Sequence, residues 1–170
     1  MVVRSFVHDK HFTRWLLGKG ASPDTRGEFD LTAESVAIMR ALLSTVKLLL
    51  RRSRGIQQGQ LLHFAVQRNG DDSLEIAELL LNLGCPIDSI WFRDDPRSWL
   101  RLGIMEVGTA LFTAAERGRD DTVAYLLSRG ADATLVSNRG RTALDVAESE
   151  QQSGVVQLLR QYVRGPCIFT

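Results

Sequence analysis

Cysteine is scarce in this 170-residue chain: Cys85 and Cys167 are the only two, and neither belongs to a CxxC or Cys/His spacing. That pattern argues against a disulfide framework and against a zinc site, and it suits a reducing compartment. No Asn-x-Ser/Thr acceptor occurs anywhere, which agrees with that placement. Net charge is also nearly absent. Twenty-one basic residues face twenty acidic ones, leaving +1, so no overall field draws the molecule toward nucleic acid or anionic lipid, and neither is expected as a partner. No apolar run approaches membrane-spanning length. Met1 to Lys10 carries Arg4, His8 and Asp9 among short apolar stretches, unlike a secretory signal. A cytoplasmic or nuclear location is the expectation.

Catalytic settings are equally thin. The three histidines are His8, His11 and His63, and no serine or cysteine sits in a nucleophile elbow or a Cys-His enzyme signature. Gly18-Lys19-Gly20 lacks the upstream glycine and the following Ser or Thr of a phosphate loop. The paired aspartates at 71/72, 94/95 and 120/121 are sequence neighbours whose side chains tend to diverge, so caps and turns explain them better than a carboxylate site, and only the 94/95 pair is kept as a site possibility. Asp120 and Asp121 are expected to accept the free amides at a helix start. No cofactor and no metal are expected. A 44% hydrophobic, 24% charged composition with 4 prolines belongs to a chain that folds, and its length suits one domain.

What the chain does have is self-similarity. Gly108-Thr-Ala-Leu111 returns as Arg141-Thr-Ala-Leu144, a step of 33. Leu111 is followed by Ala114, Ala115, Gly118, Val123, Leu126, Leu127, Gly130, Ala131 and Asp132; Leu144 by Ala147, Val155, Leu158 and Leu159. Earlier copies read Leu62, His63, Ala65, Leu80, Leu81, Gly84 and Leu31, Val46, Leu49, Leu50. Ala65 to Gly84 spans 19 positions where Ala114 to Gly130 spans 16, placing three extra residues near Asp71 to Ser73. Gly84 to Leu111 spans 27 where Gly130 to Leu144 spans 14, placing a longer insertion after Gly84. Trp15, Leu16, Leu17, Gly20 and Ala21 match the second half of a copy with no first half before them.

These residues resemble the ankyrin repeat, a turn followed by two antiparallel helices and a projecting hairpin. The resemblance implies an all-α solenoid of stacked helix-turn-helix units with hairpin fingers, about four repeats plus an N-terminal half-repeat. As a single domain over 1–170, the half-repeat takes 1–24 and the repeats fall at about 25–55, 56–88, 105–135 and 138–164. A long hairpin insertion occupies 87–107 and a tail 165–170. The tail ends Cys167-Ile168-Phe169-Thr170, a poor fit to a prenylation signal, and reads as a short apolar segment packing on the last repeat.

The family binds other proteins through hairpin tips and first helices, so the resemblance implies a scaffold or adaptor whose partner is another protein. The partner-binding candidates are Trp91, Phe92, Arg93, Asp94, Asp95, Arg97, Trp99 and Arg101, because Trp and Arg dominate interface energetics. The competing reading has both tryptophans folded back to cover the insertion's own backbone. A second alternative is a small-molecule-binding protein or enzyme with a pocket between the insertion and the inner helices. His63 takes the histidine place of the family's TPLH turn, here Gln60-Leu61-Leu62-His63, and is expected to be structural. The other copies have Thr32, Phe112 and Asp145 there. A basic stretch of Arg40, Lys47, Arg51, Arg52, Arg54 and Arg68 precedes an acidic one; it reads as a solvated face or as a steering field for a charged partner.

Overall fold

The computed structural model describes residues 7–23, 31–53, 60–93, 96–102 and 104–164. The tail 165–170, Arg54, Asp94 and Asp95 lie outside them. Every regular element among the described residues is helical, as expected: α1 Lys10–Gly18, α2 Ala33–Arg40, α3 Leu43–Leu50, α4 Gln60–Gln67, α5 Ser73–Asn82, α6 Pro96–Leu102, α7 Ala110–Glu116, α8 Asp120–Ser128, α9 Ala143–Ser149 and α10 Ser153–Arg164. None of them is long and apolar enough to cross a membrane. The chain divides into two compact units, one of Met1–Pro86 with Phe92–Leu102, the other of Ile87–Trp91 with Gly103–Thr170.

In the second unit the 33-residue step is visible atom by atom. Thr109 and Thr142 are N-caps whose hydroxyls accept from the amides of Phe112 and Asp145, both at 3.2 Å, satisfying amides the helix cannot pair itself. Asp145 completes a capping box by accepting from the Thr142 amide at 2.8 Å. First helices α7 and α9 lie side by side, as do second helices α8 and α10. Ala110, Ala114, Ala115, Ala143 and Ala147 are all buried, because only small side chains let α7 and α9 approach closely. Val123, Leu126, Val155 and Leu159 fill the neighbouring layer and are fully buried, each leucine contributing about 1.5–3 kcal/mol. The α7–α8 turn puts Gly118 at φ 64, and 33 positions later Gln151 takes φ 59. Gln152 donates from Nε2 to the Glu116 carbonyl at 3.3 Å, closing the end of α7 from the next pair.

Asp120 and Asp121 do not cap α8 as the sequence suggested. The N-cap is Arg119, without a side-chain cap bond, and the two carboxylates occupy the first turn, where the positive end of the helix favours them. Asp120 leans toward α10, so a Cβ on Gly154 would lie 2.0 Å from its Oδ2.

The first unit repeats the layering: α1 packs beside α3, α2 beside α4, and the pairs are α2–α3 and α4–α5. Thr32 caps α2 through a box with Ser35. That fixes the register of this copy three residues later than the leucine spacing implied, so Glu34 rather than Leu31 corresponds to Leu111, and Ser35 rather than Thr32 to His63. In this frame Ala37, Val46, Leu49 and Leu50 fall at the spacing of Ala114, Val123, Leu126 and Leu127 with no gap. Leu31 misled because the structural position is held by a charged residue, Glu34, which is buried at 2%. His63 sits in the first turn of α4, fully buried.

The extra residues expected near Asp71 lengthen the α4–α5 turn and α5 itself. Arg68 organises that turn. Its Nε and Nη2 donate to the two Asp72 oxygens at 2.6 and 2.8 Å, and its Nη1 donates to the Ile38 carbonyl at 2.8 Å. The last acceptor belongs to the unpaired carbonyls near the end of α2.

Three second helices finish identically. Gly20, Gly84 and Gly130 adopt φ 85, 88 and 88, the left-handed conformation that costs glycine least. Each donates to the carbonyl three residues back, and the residue after it to the carbonyl five back: Leu17 and Leu16, Leu81 and Leu80, Leu127 and Leu126.

Candidate functional site

The 87–107 insertion is divided between the two units. Within the second, Asp88 accepts the Asp132 amide at 3.0 Å and the Trp91 amide donates to the Gly108 carbonyl at 3.1 Å. The Trp91 side chain is half-buried. Within the first, Phe92 is buried with φ 61, a left-handed turn that a bulky side chain adopts only when its surroundings hold it. Arg93 is exposed. Short helix α6 follows, with Ser98 buried, Trp99 36% exposed, Leu100 83% exposed and Arg101 exposed. Arg97 lies on α6, its side chain outside the described set, as are Asp94 and Asp95. Of the eight sequence candidates, Arg93, Trp99 and Arg101 therefore meet solvent among the described side chains, and Phe92 does not.

The second unit presents a surface the sequence reading missed. Ile104, Met105 and Val136 are 79%, 59% and 46% exposed, on backbone that is firmly held. The Asn138 amide donates to the Val107 carbonyl at 3.0 Å, its Oδ1 accepts the Val107 amide at 3.0 Å, and its Nδ2 donates to the Met105 carbonyl at 2.9 Å. Arg139 donates from Nη2 to the Ile104 carbonyl at 2.7 Å. The 137–141 turn itself closes by Ser137 N–H to Arg141 O at 2.8 Å, with Gly140 at φ 77.

Beneath this tip lies an ion pair. Glu106, 9% exposed at its side chain, is held by Arg141 through Nε at 3.0 and 3.1 Å and through Nη2, and by the Ser137 hydroxyl at 2.6 Å. The Arg141 bonds hold the Glu106 carboxyl below its ordinary range, against the opposing effect of burial, and Glu106 in turn raises the Arg141 guanidinium. Such a fork fixes geometry as well as charge. The arrangement offers apolar side chains on a fixed backbone, with guanidinium groups beside them. Among the described residues no group of three or more His, Cys, Asp or Glu is placed to hold a metal ion. Ile104, Met105 and Val136 escaped the sequence reading because apolar residues in a loop look like core; the available signal was their position outside the periodic buried places.

Residues 98–167 match a family model described as ankyrin repeats (3 copies). The chain is similar to a putative E3 ubiquitin-protein ligase, XBAT34, of Arabidopsis thaliana, 33% identical over 100 residues, which is 59% of this chain and 23% of that protein. It is also similar to two DExH-box ATP-dependent RNA helicases of the same plant: DExH2 at 46% and DExH6 at 44% identity over 54 residues, 32% of this chain and 3% and 4% of theirs. The chain thus spans less than a quarter of the length of these relatives.

Proposed function

We propose, from the match of residues 98–167 to ankyrin repeats, that the chain, read as about four repeats and an N-terminal half-repeat, is a scaffold or adaptor that binds another protein through its hairpins. The observation that carries this is the exposure of Ile104 and Met105 on backbone pinned by Arg139 and Asn138, together with the exposed Val136. A backbone already fixed spares the loop-ordering cost of binding, leaving only side-chain ordering when a partner covers these apolar groups. Trp99, Arg93 and Arg101 supply a second set of interface-prone side chains. The relatives support the reading. A ubiquitin ligase and RNA helicases are chemically unrelated, and segments similar to this chain in both suit attachment to other proteins better than a common reaction.

The test is site-specific photocrosslinking in cells, with a crosslinking amino acid at Met105, at Trp99, or at the exposed Gln157 of α10. Discrete protein adducts at Met105 or Trp99, absent at Gln157 and lost from Met105 when Val136→Glu is added, are the expected result. Equal adducts at all three positions, or none at the first two, overturn the proposal.

A further inference from the structure

We propose that the solvent face of α1 docks an acidic, amphipathic segment of a partner protein, at a surface separate from the hairpins. Helix α1 buries Thr13, Leu16 and Leu17 against its unit. The opposite side carries His11, Arg14, Trp15 and Lys19, all exposed, with His8 exposed just before the helix. No acidic residue occurs from Lys10 to Lys19. The neighbouring Asp9 is engaged as the N-cap, accepting the His11 and Phe12 amides at 2.9 and 3.0 Å. Among the described residues no carboxylate pairs with Lys10, Arg14 or Lys19, whereas Lys47, Arg68, Arg141 and Arg160 each have one. Among the described residues the face is a cationic strip with no carboxylate paired to it.

Trp15 gives the strip an apolar centre. It is 54% exposed, and its ring stacks on Phe12 from the preceding turn, centroids 5.5 Å apart and planes within 15°. Lys19 from the following turn holds its Nζ 5.9 Å from the ring centroid. Phe12 and Lys19 reach the ring from the turns before and after it, and the Phe12 stack already occupies one of its faces. That separates the candidate partners. A nucleic-acid base needs a free aromatic face to stack upon. A bilayer interface takes up the whole apolar face of an amphipathic helix, and here that face is already buried in protein. A peptide placing one apolar side chain on the exposed part of Trp15, with carboxylates reaching Arg14 and Lys19, uses both features as they stand.

The experiment selects binders from a random 16-residue peptide display library on the intact chain, with an Arg14→Glu/Lys19→Glu variant as the counter-target. Both sites are exposed, and circular dichroism checks that the variant folds. Peptides enriched on the wild type and lost on the variant are expected to carry carboxylates flanking Leu, Phe or Trp. Measured by fluorescence anisotropy, they should lose roughly tenfold or more in affinity with the variant and with Trp15→Ala, weaken as salt rises, and be unaffected by Met105→Arg. An oligo-uridine RNA and phosphatidylserine vesicles are measured alongside. Enrichment without acidic bias, indifference to the α1 variants, or tighter binding of the RNA or the vesicles overturns the proposal.

Discussion

Replacing Gln151 by glycine should strengthen the last helix pair. Gln151 joins α9 to α10 at φ 59, where the equivalent turn one step earlier uses Gly118 at φ 64. A side chain in that conformation costs about 1–2 kcal/mol, while glycine costs about 0.5–1 kcal/mol through the freedom it returns to the unfolded chain. The Gln151 side chain is exposed, so removing it forfeits no packing, and the net gain is about 0.5–1 kcal/mol from those two terms. Helix pairs in a stack open locally as well as globally, so the gain appears at this pair. Amide hydrogen exchange across α10 should slow by roughly two- to fivefold, the equivalent of that energy. Gln151→Ala is the control: it keeps the strained φ and should exchange like the wild type. Gly118→Ala is the converse, adding strain and bringing a Cβ within 2.1 Å of Gln152 Oε1, and should speed exchange in α7 and α8. If Gln151→Gly and Gln151→Ala behave alike, the turn conformation is not what limits this end of the chain.

Three further outcomes follow from buried groups. Thr45 is 1% exposed and its Oγ1 has no hydrogen-bond partner among the described residues; Thr45→Val keeps the shape, removes the stranded hydroxyl, and should raise stability in urea titration by about 0.5–1.5 kcal/mol. The depressed Glu106 carboxyl gives stability that is present above its unfolded value and lost as pH falls through the lower folded one; the second unit should loosen on acidification, and Glu106→Gln should flatten that part of the pH profile followed by Val107 amide exchange. Burial pushes the Cys85 thiol up to about 11, so thiolate reagents at pH 8 should modify Cys85 in urea and spare it in the folded chain, a difference read by peptide mass spectrometry.

The helices from Ala110 onward were legible because alanine, paired leucine and glycine each answer a separate steric demand: close approach, layer filling and a left-handed stop. Where one demand is met by an unusual residue, legibility fails. Glu34 in a leucine's place shifted the register of the second copy, and Gln151 in a glycine's place hid a turn that only the backbone reveals. The insertion shows a different limit. Nothing periodic in Trp91 to Val107 says that Phe92 turns inward while Leu100 and Ile104 stay in water, and the backbone of Ile104 and Met105 is held by Arg139 and Asn138, more than thirty residues away. Two of the six residues of the basic stretch are spent internally, Arg68 on Asp72 and Lys47 on Glu75, leaving Arg40, Arg51 and Arg52 exposed.

The Arg68 guanidinium joins the end of α2, the first helix of one pair, to the α4–α5 turn inside the next with all three of its nitrogens. It behaves as a rivet between segments that could otherwise peel off one at a time. Under a pulling force applied along the chain, α2 through α5 should therefore give way in one rupture, and cutting the rivet with Arg68→Ala should split that event into two smaller ones.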